Sequence, residues 1–524
     1  MTVPFGNRDC LLPELLPRKG ESIVRVDSYA VLPGPEIDTA GRFRFKHPLR
    51  KLAFFLFREG LKLTWRKVRS SRLQRKVARR KRVVFVIGER EGRRVAAVGP
   101  MDSPGAEAAV FPDPCIAEIP PGKDEQWCLK RVNAHLSGHA EALNELYFHS
   151  YFSGKALDFD LGGILAHGPA EIDDAACPTY QRVSSRKKTK EPKPPKERGN
   201  DFDLFLAGAG AYAYAYVLPC LRDVRPHTII DLNPVLACAV AEKFGFAHQD
   251  TSSERALKRL ADCQAPLLVV ATYHSTHLEI VEQALATNPD TKIFLEKPPV
   301  TTKEQLVRLL ELRRGGAFIE IGYNRRHSPM AREARKIVSA RSGPIAMTCI
   351  IKELEIPPTH WYFWPTQGTR ITGNLSHWLD LSTYIIQQKP VFASVVSAPG
   401  NPPGDEASIV VLYQDGSRLT LMSTDKGNPL RGVQEYIDIR RDDLTIQIDD
   451  FTKMSIQEGG RRKIRRTMVR DKGHLRMYRH FMENVRQGGK PEYPDSDLYV
   501  SSLLYISISE AAVRGKKTVD IESI

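Results

Sequence analysis

The sequence predicts an α/β protein: a doubly wound parallel sheet, followed by an α+β unit with a large, mostly antiparallel open sheet, and preceded by a β-rich N-terminal region. Three observations predict it. From residue 202 to about 322, short apolar runs (DLFLA, HTIID, PLLVVA, KIFLE, AFIEIG) alternate with turns and longer stretches of helical spacing. From about 344 the pattern changes to longer alternating segments, AMTCIIKELE, FASVVSA, SIVVLYQDGSRLTLMST and EYIDIRRDDLTIQI. Ahead of both, QRVSSRKKTKEPKPPKERGN carries too little apolar surface to order itself and marks a boundary.

The alternation of strand and helix signals implies βαβ units, hence a parallel sheet with helices on both faces. The later segments imply hairpins, most clearly at Asp415-Gly416. The expected organisation is an N-terminal β-rich domain over 1–180, a basic Pro/Lys-rich linker over 181–200, the doubly wound domain over 201–325 and the α+β domain over 326–524. A chain of 524 residues is too long for one core, which agrees with several domains.

The function classes narrow next. No apolar run approaches the ~18 residues of a membrane span, and the first thirty residues lack a signal-peptide pattern, so a cytoplasmic location is expected. Eight scattered cysteines without a CxxC pair read as buried or incidental thiols. The net charge of +15 lies largely in 66–82 and 186–198, and charge runs of this kind are ordinarily solvated faces or linkers. Neither a nucleic-acid nor a membrane partner is expected.

Gly208-Ala209-Gly210-Ala211-Tyr212-Ala213 follows DLFLA and opens a helical stretch, the context that a GxGxxG/A dinucleotide fingerprint needs. Gly208 allows the tight turn, Gly210 lets the backbone approach a pyrophosphate, and Ala213 lets helix and strand pack closely. A helix N-terminus there presents amides and a dipole to an anion. Asp231 ends the next apolar run, where a carboxylate accepts from ribose hydroxyls and repels a 2'-phosphate, so NAD is expected over NADP. The plain alternative is a ligand-free turn with Asp231 capping the next helix.

Glu296-Lys297-Pro298 directly follows KIFL, at the carboxyl edge of the sheet where doubly wound folds bind ligands. Alone, the tripeptide is equally a salt-bridged turn. Taken in order, GAGAYA, IIDLNP, ATYHSTH, EKP, GYNRRHSP and GTRITGNLSHWLD resemble the glucose-fructose oxidoreductase and inositol dehydrogenase (Gfo/Idh/MocA) family from about residue 200 to the end. The stretch from His360-Trp361 through Gly368-Thr369-Arg370-Ile371 to Gly373-Asn374, His377 and Asp380 resembles one subgroup of it.

The resemblance implies a Rossmann-type domain and nicotinamide-dependent hydride transfer on a sugar-like hydroxyl or ketone. By it, Lys297 holds the reacting oxygen and helps position the nicotinamide, His377 exchanges the hydroxyl proton, and Arg370 assists. An ammonium stabilises developing alkoxide charge, and an imidazole titrates near neutrality. Thr272, Tyr273, His274 and His277 match the loop beside the nicotinamide ribose, and Glu296 and Lys297 complete the cofactor set; His277 equally reads as a structural anchor for its helix. Tyr323, Asn324 and Arg326 match the crossing into the second domain. With Trp361, Trp364, Asn374 and Asp380 they form the expected substrate contacts. The aromatic stretch Trp361–Trp364 offers stacking faces for a sugar ring, and reads equally as a lid or subunit contact.

Two positions depart from the pattern. Gly373 stands where many family members carry an aspartate, and Asn374 where the neighbouring subgroup has a glutamate. Proton transfer is then expected to rest on His377 and Lys297, with Arg370.

Residues 20–125 resemble the GroES-like half of medium-chain alcohol dehydrogenases, in the form fused ahead of a Gfo/Idh/MocA unit in bi-domain oxidoreductases. The zinc cysteine position of that family falls in Tyr29-Ala30-Val31-Leu32, and no second glycine fingerprint precedes residue 200, so this part is expected to be non-catalytic. His135, His139, Glu141, His149 and His167 fit no standard ligand spacing, and no metal is expected. The leading expectation is an NAD(P)-dependent oxidoreductase of a sugar, nucleotide sugar or cyclitol-like substrate, assembled as a homodimer or homotetramer. A dinucleotide-binding scaffold subunit, or an enzyme retaining NAD for a net elimination or rearrangement, are the alternatives.

Overall fold

A computed structural model of the chain describes residues 2–5, 8–11, 21–31, 48–78, 82–101, 108–138, 160–167, 181–182, 202–356, 361–363, 366–398, 402–427 and 433–521. Strands β1 (Thr2–Phe5) and β2 (Arg8–Leu11) pair as a hairpin. An antiparallel sheet follows, built from β3 (Glu21–Val31), β4 (Arg82–Arg90), β5 (Arg93–Met101), β6 (Ala108–Pro112) and β7 (Ile116–Glu118) in the order 6-3-4-5-7. The short β8 (Gln181–Arg182) pairs with β3. A helix over Pro48–Ala78 connects β3 to β4 and is broken at Gly60, whose φ of 76° and ψ of 160° are not helical.

Six parallel strands come next: β9 (Asp203–Ala207), β10 (Arg225–Ile230), β11 (His248–Asp250), β12 (Pro266–Val270), β13 (Lys292–Glu296) and β14 (Ile319–Gly322). Their order is 11-10-9-12-13-14, the 3-2-1-4-5-6 sequence of a Rossmann fold when counted from β9. Every position of β9 and β12 is buried, as expected of strands covered on both faces. Alternation then sorts the side chains. Leu204 and Leu206 of β9 share a core with Leu267, Val269, Phe294 and Phe481, while Phe205 and Ala207 share the opposite one with Leu268, Val270, Ile293 and Leu295.

The first of these cores also contains Val24, Val84, Val86, Val95 and Phe111, so the N-terminal sheet packs directly on one face of the parallel sheet. Its other face, through Phe85, Ile87 and Val98, is covered by the helices Glu125–Gly138 and Leu161–His167. A fully buried side chain of this kind contributes about 1.5–3 kcal/mol, so a shared core of this size joins the two sheets firmly.

The C-terminal sheet has nine strands: β15 (Ala346–Lys352), β16 (Pro390–Ser397), β17 (Ala407–Tyr413), β18 (Arg418–Thr424), β19 (Gln434–Arg441), β20 (Leu444–Asp449), β21 (Lys453–Glu458), β22 (Arg461–Arg466) and β23 (Thr518–Asp520). They run in the order 22-21-20-19-15-18-17-16-23, with β15 and β18 parallel and the other neighbours antiparallel. The expected hairpin at Asp415-Gly416 joins β17 to β18. The helices Ser376–Ile386 and Asp495–Val513 cover the inner face, and Ile350, Leu412, Met422 and Tyr436 lie exposed on the sheet.

Two expectations need adjustment. After the glycine loop the chain forms only a short helical stretch with a π-turn over Ala213–Val217, because Pro219 cannot continue a helix and disfavours helical geometry just before it. Cys238 is disulfide-bonded rather than an incidental thiol, whereas Cys115, Cys128, Cys220, Cys263 and Cys349 are free. Residues 183–200 of the expected linker, and His139, Glu141 and His149, lie outside the described residues.

Candidate active site

The strand order reverses between β9 and β12, the switch point at whose carboxyl ends doubly wound folds bind ligands. The glycine loop lies there. Gly208 has a φ of 95°, and a Cβ there would overlap the Ala271 carbonyl of the loop leaving β12, so only glycine fits. At Gly210 no atom lies within 4 Å of the position a Cβ would take, which leaves the backbone open to a close ligand such as a phosphate. Asp231 accepts from Ala209 N at 2.7 Å and from Asn233 N at 2.8 Å, fastening the loop to the end of β10. A carboxylate has about four lone-pair sites, so the same side chain can also receive a ribose hydroxyl. Asn233 caps the following helix by accepting from Leu236 N, with Pro234 in its first turn, which explains why IIDLNP turns where it does. Ala213 is buried in the shared core, and the Tyr212 ring stacks on Tyr216 and lies beside Glu296. These residues fit a dinucleotide. Gly208→Val should raise the NADH dissociation constant about 10- to 100-fold, measured by fluorescence titration, since it strains the turn by about 1–3 kcal/mol.

Lys297 leaves the end of β13, and its Nζ donates to the Gly373 carbonyl at 2.8 Å. Gly373 lies in the Ile371–Leu375 turn, four residues before His377 at the start of the next helix. Burial pulls the Lys297 ammonium below the ordinary lysine range, while the Glu296 charge opposes it. Glu296 is itself buried, is raised above the ordinary carboxylate range by that burial, and accepts from the Tyr478 hydroxyl. His377 is held well below its usual value, first by burial and then by the Arg325 and Lys297 charges, so at neutral pH it is an uncharged proton acceptor.

The Nδ1 of His377 is buried without a hydrogen-bond partner, as are Thr372 Oγ1 and Arg370 Nη2, whereas the Tyr323 and Ser376 hydroxyls pair with each other. Three such atoms within the two turns from 370 to 377 are unusual, because buried polar groups are nearly always paired.

Around Gly373 the structure explains both departures in the sequence. A Cβ at 373 would lie 2.9 Å from His274 Cε1 and 3.4 Å from the Tyr362 ring, so these rings fill the space an aspartate would need. His274 also packs 4.6 Å from Trp361, whose ring meets Tyr273 at 5.2 Å. The side chain of Asn374 donates to Glu353, a buried carboxylate just past β15 that sequence reasoning missed. Glu353 lies 3.5 Å from Arg370, and its charge acts on Lys297. A signal was present: Cys349, Ile351 and Glu353 alternate on the inward side of β15, and a carboxylate at an inward position is informative in itself.

Several expected site residues do other work. Arg370 is buried and spent on Asp405 (2.5 Å), the Leu354 carbonyl (2.9 Å) and Glu353, so it positions the Glu353 carboxylate instead of facing Lys297. Arg326 and Asp380 bind each other bidentately, and Arg326 also reaches Asp497 and Tyr493, which leaves no accessible edge for substrate on either. Asn324 is buried and donates to the Lys472 carbonyl at 2.6 Å. His277 has ring nitrogens 2.9 Å from the Pro298 carbonyl and 3.2 Å from that of Thr272. Burial lowers it to about 4, so the neutral ring donates to one of these carbonyls and anchors the start of its helix. Tyr323 lies under the site, its ring 5.9 Å from His377. Thr272 Oγ1 meets Thr276 Oγ1 at 2.9 Å. Trp364 and His360 lie outside the described residues.

The comparisons with known proteins agree with the Rossmann fold. Residues 202–316 fit the Gfo/Idh/MocA profile, an oxidoreductase family with an NAD-binding Rossmann fold. Inositol 2-dehydrogenase 3 of Saccharopolyspora erythraea is 27% identical over 140 residues, 26% of this chain and 39% of that one. Inositol 2-dehydrogenase 2 of the same organism is 26% identical over 171 residues, 32% of this chain and 46% of that one. The chain thus spans less than half the length of the curated relatives it matches. Among solved structures, an aldose-aldose oxidoreductase from Caulobacter crescentus superposes with a TM-score of 0.53 at 19% identity, over 61% of this chain and 100% of that one. A levoglucosan dehydrogenase in complex with NADH gives 0.52 at 17% identity, over 62% and 100%. Over residues 202–316, its Rossmann part, the chain is similar to the Gfo/Idh/MocA oxidoreductase family.

Proposed function

We propose that the chain is an NAD(P)-dependent oxidoreductase acting on a CH–OH or ketone carbon of a sugar, nucleotide sugar or cyclitol-like substrate, with NAD preferred. The observation that carries the reading is the ammonium of Lys297 at the carboxyl edge of the Rossmann sheet, hydrogen-bonded one helical turn before an imidazole whose buried Nδ1 has no partner. The names of the inositol dehydrogenase relatives, and of the NADH-bound levoglucosan dehydrogenase with the same fold, support the substrate class.

When bound, the nicotinamide supplies the hydride chemistry. Lys297 donates to the reacting oxygen and stabilises its developing charge. His377, uncharged, takes the hydroxyl proton during oxidation and returns it during reduction. Glu353, oriented by Asn374 and Arg370, accepts from a neighbouring substrate hydroxyl, and Trp361 offers an apolar face to the ring. Asp231 disfavours a 2'-phosphate, hence NAD over NADP.

The N-terminal sheet is read as a degenerate GroES-like unit that buttresses the Rossmann sheet, and the exposed strands of the nine-stranded sheet as a homodimer or homotetramer contact in a cytoplasmic enzyme. The test is reduction of NAD across a panel of cyclitols, sugars and sugar nucleotides. Failure to bind NADH and failure to turn over the whole panel would sink the reading. On the substrate found, Glu353→Gln should lower kcat/KM about 10- to 100-fold, the worth of a hydrogen bond to a charged group, with NADH affinity unchanged.

A further inference from the structure

The helix Pro48–Ala78 has ten lysines and arginines in its sequence and a single acidic residue, Glu59; among its described side chains Lys62, Arg69 and Arg72 are exposed cations. Glu59 is buried and held by Lys67 and Arg470, so it adds no negative charge to the surface. That ion pair brings the segment after β22 alongside the helix, and Val469 lies 3.6 Å from the position of a Gly60 Cβ. β22 itself, RRKIRR, is exposed along its whole length and adds Arg461, Arg462, Lys463 and Arg466 at the sheet edge, beside Arg465, which is paired with Glu333.

Within this basic face stand large apolar side chains in water. Phe57 is 75% exposed, Leu61 71% and Met468 84%, and Trp65, Ile464 and Val469 are exposed beside them. Phe57 and Leu61 flank Gly60, and Met468 adjoins Val469, so they gather around one contact. Single exposed apolar residues need no explanation, but a cluster ringed by cations does.

We propose that this face docks peripherally on an anionic phospholipid surface. A second copy of the chain meeting it across a two-fold axis would set cations against cations. Nucleic acid would satisfy the cations but offers no partner to Leu61, Met468 and Val469. A bilayer interface takes both: anionic headgroups receive the arginines and lysines, and the acyl boundary receives the aliphatic and aromatic tips. Among the described residues no helix is long and apolar enough to cross a membrane, so the contact lies on the surface. The part of the 66–82 charge run that lies in this helix, read as merely solvated in the sequence, acquires a partner here.

The test is co-sedimentation of the full chain with vesicles of phosphatidylcholine alone or with about 30% phosphatidylglycerol. Binding is expected to the anionic vesicles only, to weaken with added salt, and to drop about fivefold for each cation removed in Arg461→Gln, Arg462→Gln and Lys463→Gln. The triple variant Phe57→Ser/Leu61→Ser/Met468→Ser should lose binding while its circular dichroism and NADH affinity stay as in the wild type. The proposal is overturned by no sedimentation with anionic vesicles, by equal sedimentation with neutral ones, or by a correctly folded triple variant that binds as before. Binding of a single-stranded oligonucleotide without binding of vesicles would assign the face to nucleic acid and overturn it as well.

Discussion

Lys297→Ala should lower kcat by about 100- to 1000-fold, the usual consequence of removing a donor to a developing oxyanion, with NADH affinity nearly intact. The ammonium is held by the Gly373 carbonyl at 2.8 Å. The pH profile gives a second readout. Burial favours the neutral amine, as does the nearby Arg325 charge, and only Glu296 and Glu353 pull the other way. In the wild type, activity should therefore fall on the alkaline side at a pH below the ordinary lysine value of ~10.4, as the ammonium deprotonates. That alkaline limb should vanish from whatever activity Lys297→Ala retains. A variant with normal kcat would remove Lys297 from the reaction altogether.

Arg325→Ala should cost about 3–5 kcal/mol of stability, because it leaves the Glu435 carboxylate buried with a lost partner. The pair is bidentate, at 2.7 and 2.8 Å, with the Trp378 indole donating to the same carboxylate at 2.9 Å and the guanidinium lying over the Trp378 ring. It pins the exit of the Rossmann sheet to β19, so the loss should appear as an earlier transition in thermal unfolding. The sign with pH follows from Glu435. Burial by itself would raise it, but Arg325 and Lys472 outweigh burial and hold it well below the carboxylate range. A depressed carboxylate stabilises fully above its unfolded value of ~4.3 and loses this as pH falls toward the folded value. Without Arg325 the folded value rises, so the variant should unfold at a higher pH during acid titration. Glu435→Gln in the same background should recover part of the loss.

The Rossmann part was legible because its cues are local. β9 and β12 are continuous apolar runs, Asn233-Pro234 announces a helix start, and the Gly208 turn tolerates one residue type. Lys297 and Gly373 could also be named from order alone. What the sequence concealed was pairing. Arg326 and Asp380 match a substrate-facing motif, yet they lie 54 positions apart in the chain and neutralise each other in the core. Glu353 escaped notice because its meaning depends on Asn374 and Arg370, which approach it only after the second sheet has folded. His274 likewise accounts for the glycine at 373 only once two loops from different sheets have met.

The core in which Val84, Val86 and Phe111 interleave with Leu204 and Leu206 has a consequence for the chain's stability. Through it the described N-terminal strands form the cover over one face of the parallel sheet. Deleting the N-terminal strands would expose Leu204 and Leu206 to water, so the parallel sheet is expected to need them for stability.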